Sequence, residues 1–244
     1  MRTAVGVRSV ASLAPRTGRG VRVAVVDSGV HAEHPHVGGV AGGIAIGPAG
    51  ELSDDFVDRL GHGTAVAAAI REKAPECELL AVRVFDRTLM TTGQALVAAI
   101  EWSALQGVQL INLSLGTSNQ EHAPALAAAV ARAAGHGAIV VSAAPQDGAA
   151  WLPGGLAGVV AVDVDWDCPR DECRVVSADA DGIRIAASGY PRPIPGVPPE
   201  RNFSGLSFAV ANATGLLALT LEGQGSLTLG IVANRLRTNR PAPS

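Results

Sequence analysis

Short, continuously apolar runs alternate along this chain with longer runs in which apolar residues recur at helical spacing. The first short run, VRVAVV at Val21–Val26, is rich in β-branched residues and ends at Asp-Ser-Gly, which is typical of a buried parallel strand that stops at a turn. Similar runs predict further strands at 79–85, 108–116, 138–144, 158–164 and 183–188. Helical spacing predicts helices at 61–70, 91–107, 123–137 and 207–221, with a last one near Ser226–Leu236.

This repeated order of strand, helix and strand predicts an α/β fold, a three-layer sandwich with helices on both faces of a mostly parallel central sheet. In such sheets, reactive groups collect on the loops beyond the carboxyl ends of the strands. Three candidate segments follow strand ends of this kind: Asp27, Ser114 and Ala143–Ala144. We therefore expect them on one rim of the sheet.

Length and composition fit one domain and exclude some classes of partner. With 244 residues, 48% of them hydrophobic, residues 1–244 are expected to form a single domain with 1–17 as a leading segment and 221–244 as a C-terminal helix and tail. A net charge of -3 provides no basic surface for nucleic acid, and no apolar run is long enough for a membrane span.

The cysteines and the N-terminus predict a cytoplasmic protein. Cys77, Cys168 and Cys173 do not make a disulfide framework, although the last two could bridge a small loop in an exported protein. The N-terminal segment has arginines but no apolar centre, so it is a poor secretory signal. We expect free thiols and an intracellular location.

Three polar residues stand in glycine-marked turns. Asp27 leaves a strand, His62 lies between two glycines at a helix start, and Ser207 opens a helix. Each alone has a plain structural explanation, as an Asx turn, a polar cap and an N-cap. Together they offer the alcohol, base and orienting acid that nucleophilic catalysis by serine requires.

The stretches that contain these residues resemble the motifs of the subtilisin-like serine proteases, or subtilases. They read VRVAVVDSGVHAEHP, GHGTAVAAAI, INLSLG and FSGLSFAVA, and the resemblance covers roughly residues 18–220. It implies a subtilisin-like fold and peptide-bond hydrolysis without a cofactor. Ser207 would be the nucleophile and, through its backbone N–H, an oxyanion donor, with His62 as general base and acid and Asp27 orienting the imidazole.

The resemblance also implies a peptide or protein substrate. Ser114, Leu115 and Gly116 would form the strand edge that pairs with it.

Many subtilases bind structural calcium, but no ligand set can be assigned in this sequence. The histidines of HAEHPH (31–36) suggest zinc, yet their spacing on a loop is weak evidence and His34-Pro35 matches the family's turn. Asp54, Asp55 and Asp58 are read as a solvated acidic loop.

The segment after Ala143 and Ala144 departs from the family pattern. Where the family has Ala-Ala-Gly-Asn, this chain has Ala-Ala-Pro-Gln, so Gln146 takes the place of the oxyanion asparagine with its amide one methylene further out. Trp151 falls near the floor of the primary specificity pocket. If it points inward, only a small substrate residue fits; packing into the core is the alternative.

Asp27 lies so near Met1 that we expect neither a signal nor a propeptide. These features favour an active, narrow-specificity bacterial processing protease, such as one that removes the leader from a precursor peptide. The alternative is a catalytically impaired relative that binds peptides without cutting them, and a partner chain that supplies the missing oxyanion donor is a third option. Substrate, cleavage site and oligomeric state remain open.

Overall fold

The computed structural model describes residues 15–146, 148–178, 182–198, 201–224 and 228–238. Within them, the strands are β1 (Arg22–Asp27), β2 (Gly42–Ile46), β3 (Leu52–Ser53), β4 (Glu78–Arg83), β5 (Leu110–Leu113), β6 (Ile139–Ala143), β7 (Val160–Val164), β8 (Cys173–Ala178) and β9 (Ile183–Ala187). The helices are α1 (His62–Lys73), α2 (Gly93–Leu105), α3 (Ala123–Gly135), α4 (Leu206–Leu221) and α5 (Leu229–Thr238).

The strands form one sheet in the order β3-β2-β4-β1-β5-β6-β7-β9-β8. Neighbouring strands run parallel from β2 through β9 in this order, and the edge strands β3 and β8 pair antiparallel with β2 and β9. The carboxyl ends of β1, β5 and β6 are therefore adjacent on one rim, as the sequence predicted.

Two apolar layers cover the sheet. Alternate residues of β1 point into them, with Val23 and Val25 in the layer under α1 and α4, and Ala24 and Val26 in the layer under α2 and α3. A strand with both faces buried is apolar along its whole length, which explains the continuous run VRVAVV. The three-layer α/β sandwich predicted from the sequence is confirmed.

Helix α4 lies inside the molecule and not on its surface. Its residues from Phe208 to Ala218 are all buried, and it contacts α1 and the strands β5, β6, β7 and β9. Small side chains permit this closeness: a methyl group at Gly215 would lie 2.7 Å from the Cβ of Lys73 on α1. The first turn of α4, which contains Ser207, is thus anchored by a rigid core element.

The predicted strands and helices are all present, with boundaries that shift by a few residues. The last helix is α5, and the predicted start at Ser226 lies outside the described residues, as do residues 1–14 of the leading segment. The sequence missed β2, β3 and β8. In the described part of the chain, no helix has the length and apolarity needed to span a bilayer. The assignment of residues 1–244 to a single domain stays a prediction.

Candidate active site

Asp27 is the last residue of β1, and its side chain is buried at the rim of the sheet. Its Oδ1 accepts a hydrogen bond from the Ser28 backbone N–H at 2.7 Å and lies 2.7 Å from His62 Nδ1. Within the described residues, Oδ2 has no hydrogen-bond partner. Because a buried carboxylate is costly without a partner, the imidazole is the group that stabilises its charge.

His62 begins α1, and glycines on both sides set its position. Gly61 adopts a left-handed backbone with φ of 80°, which turns the chain into the helix. A methyl group at Gly63 would overlap the backbone carbonyl of Gly29, so only glycine lets the start of α1 approach the end of β1 this closely. The two glycines bring the imidazole to the carboxylate.

Two carboxylates act on the charge of His62. Burial of the ring lowers its pKa, but the hydrogen bond and charge of Asp27, with a further contribution from the charge of Asp58, outweigh burial and raise the pKa above the ordinary histidine value. The imidazolium form of His62 is therefore stabilised in this site.

Asp58 is a structural acid, so the prediction of a solvated acidic loop is wrong for it, although Asp54 and Asp55 are exposed. Its oxygens accept hydrogen bonds from the Ser28 hydroxyl, from the backbone N–H groups of Leu60 and Gly61, and from the N–H and hydroxyl of Thr64. Burial alone would raise the pKa of Asp58, but these bonds hold it below its ordinary value. Asp58 thus fixes the loop that leads into His62.

Ser207 lies in the first turn of α4, after Gly205. Its Oγ donates to the Ser114 carbonyl at 3.4 Å, and Ser114 Oγ donates to the Ser207 carbonyl at 3.2 Å. Asn112 Nδ2, on β5, donates to Ser114 Oγ at 3.1 Å. Among the described residues, no hydrogen bond joins Ser207 Oγ to His62, although both line the same cleft. Such a bond is often loose before substrate binds.

The cleft has a volume of about 690 Å³ and brings together most of the predicted site residues. These are Asp27, His62, Ser114, Leu115, Gly116, Trp151 and Ser207. Ala143 and Ala144 are instead buried at the end of β6, and Gln146 is exposed; none of these three lines the cleft. Their roles in substrate and oxyanion binding stay predictions.

Trp151 packs across the strand edge at Gly116. The neighbouring residues Thr117 and Leu152 form an antiparallel bridge with backbone hydrogen bonds of 2.9 Å in both directions. A methyl group at Gly116 would overlap the indole nitrogen of Trp151, whose N–H is buried without a partner among the described residues. The ring also contacts the core under α1 and α4. Trp151 therefore packs against the core and also forms part of the wall of the cleft.

Sequence comparison assigns the family. The subtilase family profile matches residues 18–239 of this chain. The chain belongs to the subtilase family. It is 30% identical over 238 residues to subtilisin DY of Bacillus licheniformis, covering 90% of this chain and 83% of that protein. It is also 30% identical over 186 residues to the minor extracellular protease Epr of Bacillus subtilis, covering 71% of this chain but only 27% of that longer protein.

Solved structures agree with this assignment. A cold-adapted subtilisin-like serine proteinase superposes with a TM-score of 0.69 at 25% identity, covering 91% of this subtilase and 82% of the other chain. A lanthipeptide protease superposes with a TM-score of 0.68 over 90% of this chain and 81% of its own, at 20% identity, which shows a shared fold alone. The predicted family is confirmed, and its class is serine endopeptidase.

Sequence reasoning missed the aromatic side chains that surround the imidazole of this subtilase. The ring of Phe203 lies edge-on to His62 with centroids 6.3 Å apart, and the ring of Phe208 lies at 5.8 Å from His62. Phe203 and Phe208 also stack on each other at 6.4 Å. Both belong to the segment FSGLSF around Ser207, so their proximity to Ser207 in the sequence was the available signal.

The cysteines of the subtilase are buried and free. Burial raises the pKa of Cys77 and Cys168 to about 11 and that of Cys173 to about 12, so these thiols are poor nucleophiles. The part of the chain that the structure describes contains no group of three or more histidine, cysteine, aspartate or glutamate side chains placed to hold a metal ion. No calcium ligand set can be assigned to it.

Proposed function

We propose that this subtilase hydrolyses peptide bonds with Ser207 as nucleophile, His62 as general base and acid, and Asp27 as the residue that orients the imidazole. The observation that carries the proposal is the 2.7 Å contact between His62 Nδ1 and the buried Asp27 carboxylate. With Nδ1–H donated to Asp27, Nε2 is left unprotonated and available to accept a proton.

Hydrolysis then proceeds in two steps. Ser207 Oγ attacks the peptide carbonyl while His62 Nε2 takes its proton, and collapse of the intermediate expels the amine, which receives that proton. The acyl ester on Ser207 is cleaved by a water molecule, which His62 deprotonates, and the proton returns to Ser207 Oγ as the acid product leaves. Throughout, Asp27 stabilises the imidazolium.

Two donors for the oxyanion are proposed. The backbone N–H of Ser207 has no acceptor among the described residues and belongs to the first turn of buried α4, where backbone dipoles favour negative charge. The Gln146 amide is the second donor. That side chain is exposed and has no hydrogen bond to a described residue, so it has to move towards the substrate, which lowers its contribution.

Trp151 supports a narrow specificity. Its ring packs against Gly116, on the edge that we propose pairs with the substrate backbone, and lines the cleft beside Ser207. A ring in that place fits a small residue before the scissile bond. Free, buried thiols support a reducing location inside the cell. We therefore propose a dedicated processing protease, for example one that removes the leader of a precursor peptide.

A peptide-binding protein without catalysis is the second candidate. It is favoured by the hydrogen bond from Ser207 Oγ to the Ser114 carbonyl, an acceptor other than His62, and by the exposed Gln146 side chain. Such a protein would keep the substrate groove and lose the oxyanion donor, so binding would be saturable and no product would form.

Incubation of the purified protein with a peptide library and with candidate precursor peptides, followed by mass spectrometry, distinguishes the two. Cleavage at a few sites after small residues, abolished by Ser207→Ala, supports the processing protease. Saturable binding without product over long incubation supports the binding protein. Cleavage at many sites with no preference for small residues contradicts the narrow specificity.

A further inference from the structure

A second cavity of about 500 Å³ lies directly beside the cleft. It is lined by the three histidines of the HAEHPH loop and by side chains of the segment before Ser207: His31, His34, His36, Arg192, Arg201 and Phe203. None of these residues has a part in the proposed hydrolysis. The proposed triad therefore does not account for this cavity, although the cavity lies next to it.

The cavity and the cleft are neighbours at the start of α1. Gly61 lines the cavity while His62, the next residue, lines the cleft, and the two share no lining residue among those described. Phe203 forms the wall between them, because its ring lines the cavity and lies edge-on to the imidazole. A peptide whose residues before the scissile bond occupy the cleft along Ser114–Gly116 has this cavity available for the residues after the bond.

The charges in the cavity are unbalanced. Arg192 donates to the His36 carbonyl at 3.0 Å, and no carboxylate of the described residues forms an ion pair with Arg192 or Arg201. The lining carboxylate, Asp58, is already committed to hydrogen bonds with its own loop and α1. Arg192 and Arg201 thus both line the cavity without an ion pair to any carboxylate of the described residues.

One histidine of the cavity, His36, has a lowered pKa. Burial is the largest cause, the charges of Arg192 and His34 lower this pKa further, and the charge of Glu72 opposes them in part. The rings of His34 and His36 meet edge to face with centroids 5.3 Å apart, so two imidazoles share this corner with a guanidinium. In such a setting a bound carboxylate is attracted by the positive charge of the arginines.

We propose that this cavity binds an acidic side chain of the substrate on the leaving-group side of the scissile bond. Arg192 and Arg201 hold the carboxylate, and Ala65, Ala68 and Phe203 contact the apolar part of the same segment. The inference rests on the proposed peptidase function, because it names the kind of substrate that the catalytic site receives.

The test uses matched peptides that differ only by Glu or Gln at the first, second or third position after the cleaved bond. We expect the Glu peptide to be preferred in kcat/KM by about 5-fold at one position at low ionic strength, as for a partly exposed charge pair. Arg192→Gln combined with Arg201→Gln is expected to bring this ratio close to 1. Arg132→Gln, which removes a surface charge on α3, is the control and is expected to preserve it.

A charge reversal and a binding measurement complete the test. Arg201→Glu is expected to favour Lys over Glu at the same position, an effect that a merely destabilised protein would not show. Fluorescence anisotropy of labelled Glu and Gln peptides with the Ser207→Ala protein measures binding of the acidic side chain without turnover. This measurement remains valid even if the peptidase proposal fails. Equal affinity and equal cleavage of the two peptides by the unmodified protein would overturn the inference.

Discussion

The charges of two acids act on the imidazole of His62, and this sets the pH range in which the proposed site can work. Asp27 is bonded to it directly, and Asp58 acts on it through charge alone. Since the base must be neutral to accept a proton, activity rises as pH increases through the His62 pKa. That pKa is raised, so the acid limb of the profile is expected above the ordinary histidine value of about 6.5.

Asp58→Asn tests the charge of the second acid. Loss of a negative charge near His62 makes the imidazolium less stable, lowers the His62 pKa and moves the acid limb of kcat/KM to lower pH. Asp54→Asn is the matched control, because Asp54 lies on the same loop and is exposed. If Asp58→Asn leaves the pH profile of kcat/KM unchanged, the effect assigned to Asp58 on the His62 pKa is contradicted.

Gln146→Ala measures how much of the oxyanion site depends on this amide. Removing a well-placed side-chain donor costs about 100- to 1000-fold in kcat. Because the Gln146 side chain is exposed and bonded to no described residue, we predict a smaller loss of about 10-fold in kcat with substrate binding retained. Single-turnover kinetics check this, and an unchanged kcat would show that Gln146 is not an oxyanion donor.

Among single residues, the sequence predicted those that lie in short recognisable motifs. The turns around Asp27, His62 and Ser207 identified the candidate triad residues, because glycines and strand ends can be recognised from a few neighbouring residues. For the contact of Phe203 with His62 the sequence offered only the proximity of Phe203 to Ser207, and for the hydrogen bonds of Asp58 it offered no local signal. Both depend on how distant segments meet, and an aspartate in DDFVDR looks the same in a solvated loop as in a structural one.

The packing of α1 against α4 is the contact between elements on which the site depends, since α1 begins with His62 and α4 begins next to Ser207. It relies on Gly215, opposite Ile70 and Lys73. A methyl group at Gly215 would lie 2.7 Å from the Lys73 Cβ and 3.0 Å from the Ile70 carbonyl oxygen, so the helices would have to move apart.

Gly215→Ala is therefore expected to lower the free energy of unfolding by about 1–3 kcal/mol, as overpacking does. Gly135→Ala is the control, because Gly135 ends α3 and nothing would lie within 4 Å of the added methyl group. That substitution is expected to be neutral or to stabilise by up to about 1 kcal/mol. Urea unfolding measures both, and a Gly215→Ala protein as stable as the unmodified one would contradict the close packing.

Trp151 belongs to the segment that pairs with the end of the proposed substrate-binding edge, and its truncation tests the proposed narrow pocket. Trp151→Ala is expected to raise kcat/KM for peptides with Leu or Phe before the scissile bond by about 10-fold relative to Ala. Trp166→Ala, which removes a half-exposed ring beside Tyr190, is the control and should leave the preference unchanged. A cleavage profile of the unmodified protein dominated by bulky residues would refute the narrowed pocket.

The strands that sequence reasoning missed have weak local signals. β2 reads GGIAI, and glycine is a poor strand former, while β3 is only Leu52–Ser53. β8 is an edge strand with a register shift between Val175 and Ser177, so its alternation is interrupted. The central parallel strands were predictable because burial on both faces makes them apolar throughout.

For the whole molecule, the parallel order of the sheet is what brings the candidate residues together. The ends of β1 and β5 are neighbours, so Asp27 and Ser114 lie on one rim. Helices α1 and α4, on one face of the sheet, place His62 and Ser207 at the same rim. The order of motifs along the chain made this arrangement predictable. The second cavity was not, because it forms only where the HAEHPH loop meets the segment before Ser207.

The most direct test of the proposed catalytic site is the covalent reaction of the folded protein with a fluorophosphonate, followed by intact mass and peptide mapping. We predict one adduct per chain on Ser207, none in Ser207→Ala, and labelling slowed by orders of magnitude in His62→Ala and in Asp27→Asn. A folded protein that stays unlabelled, or one that is labelled equally after Ser207→Ala, would contradict the proposed triad.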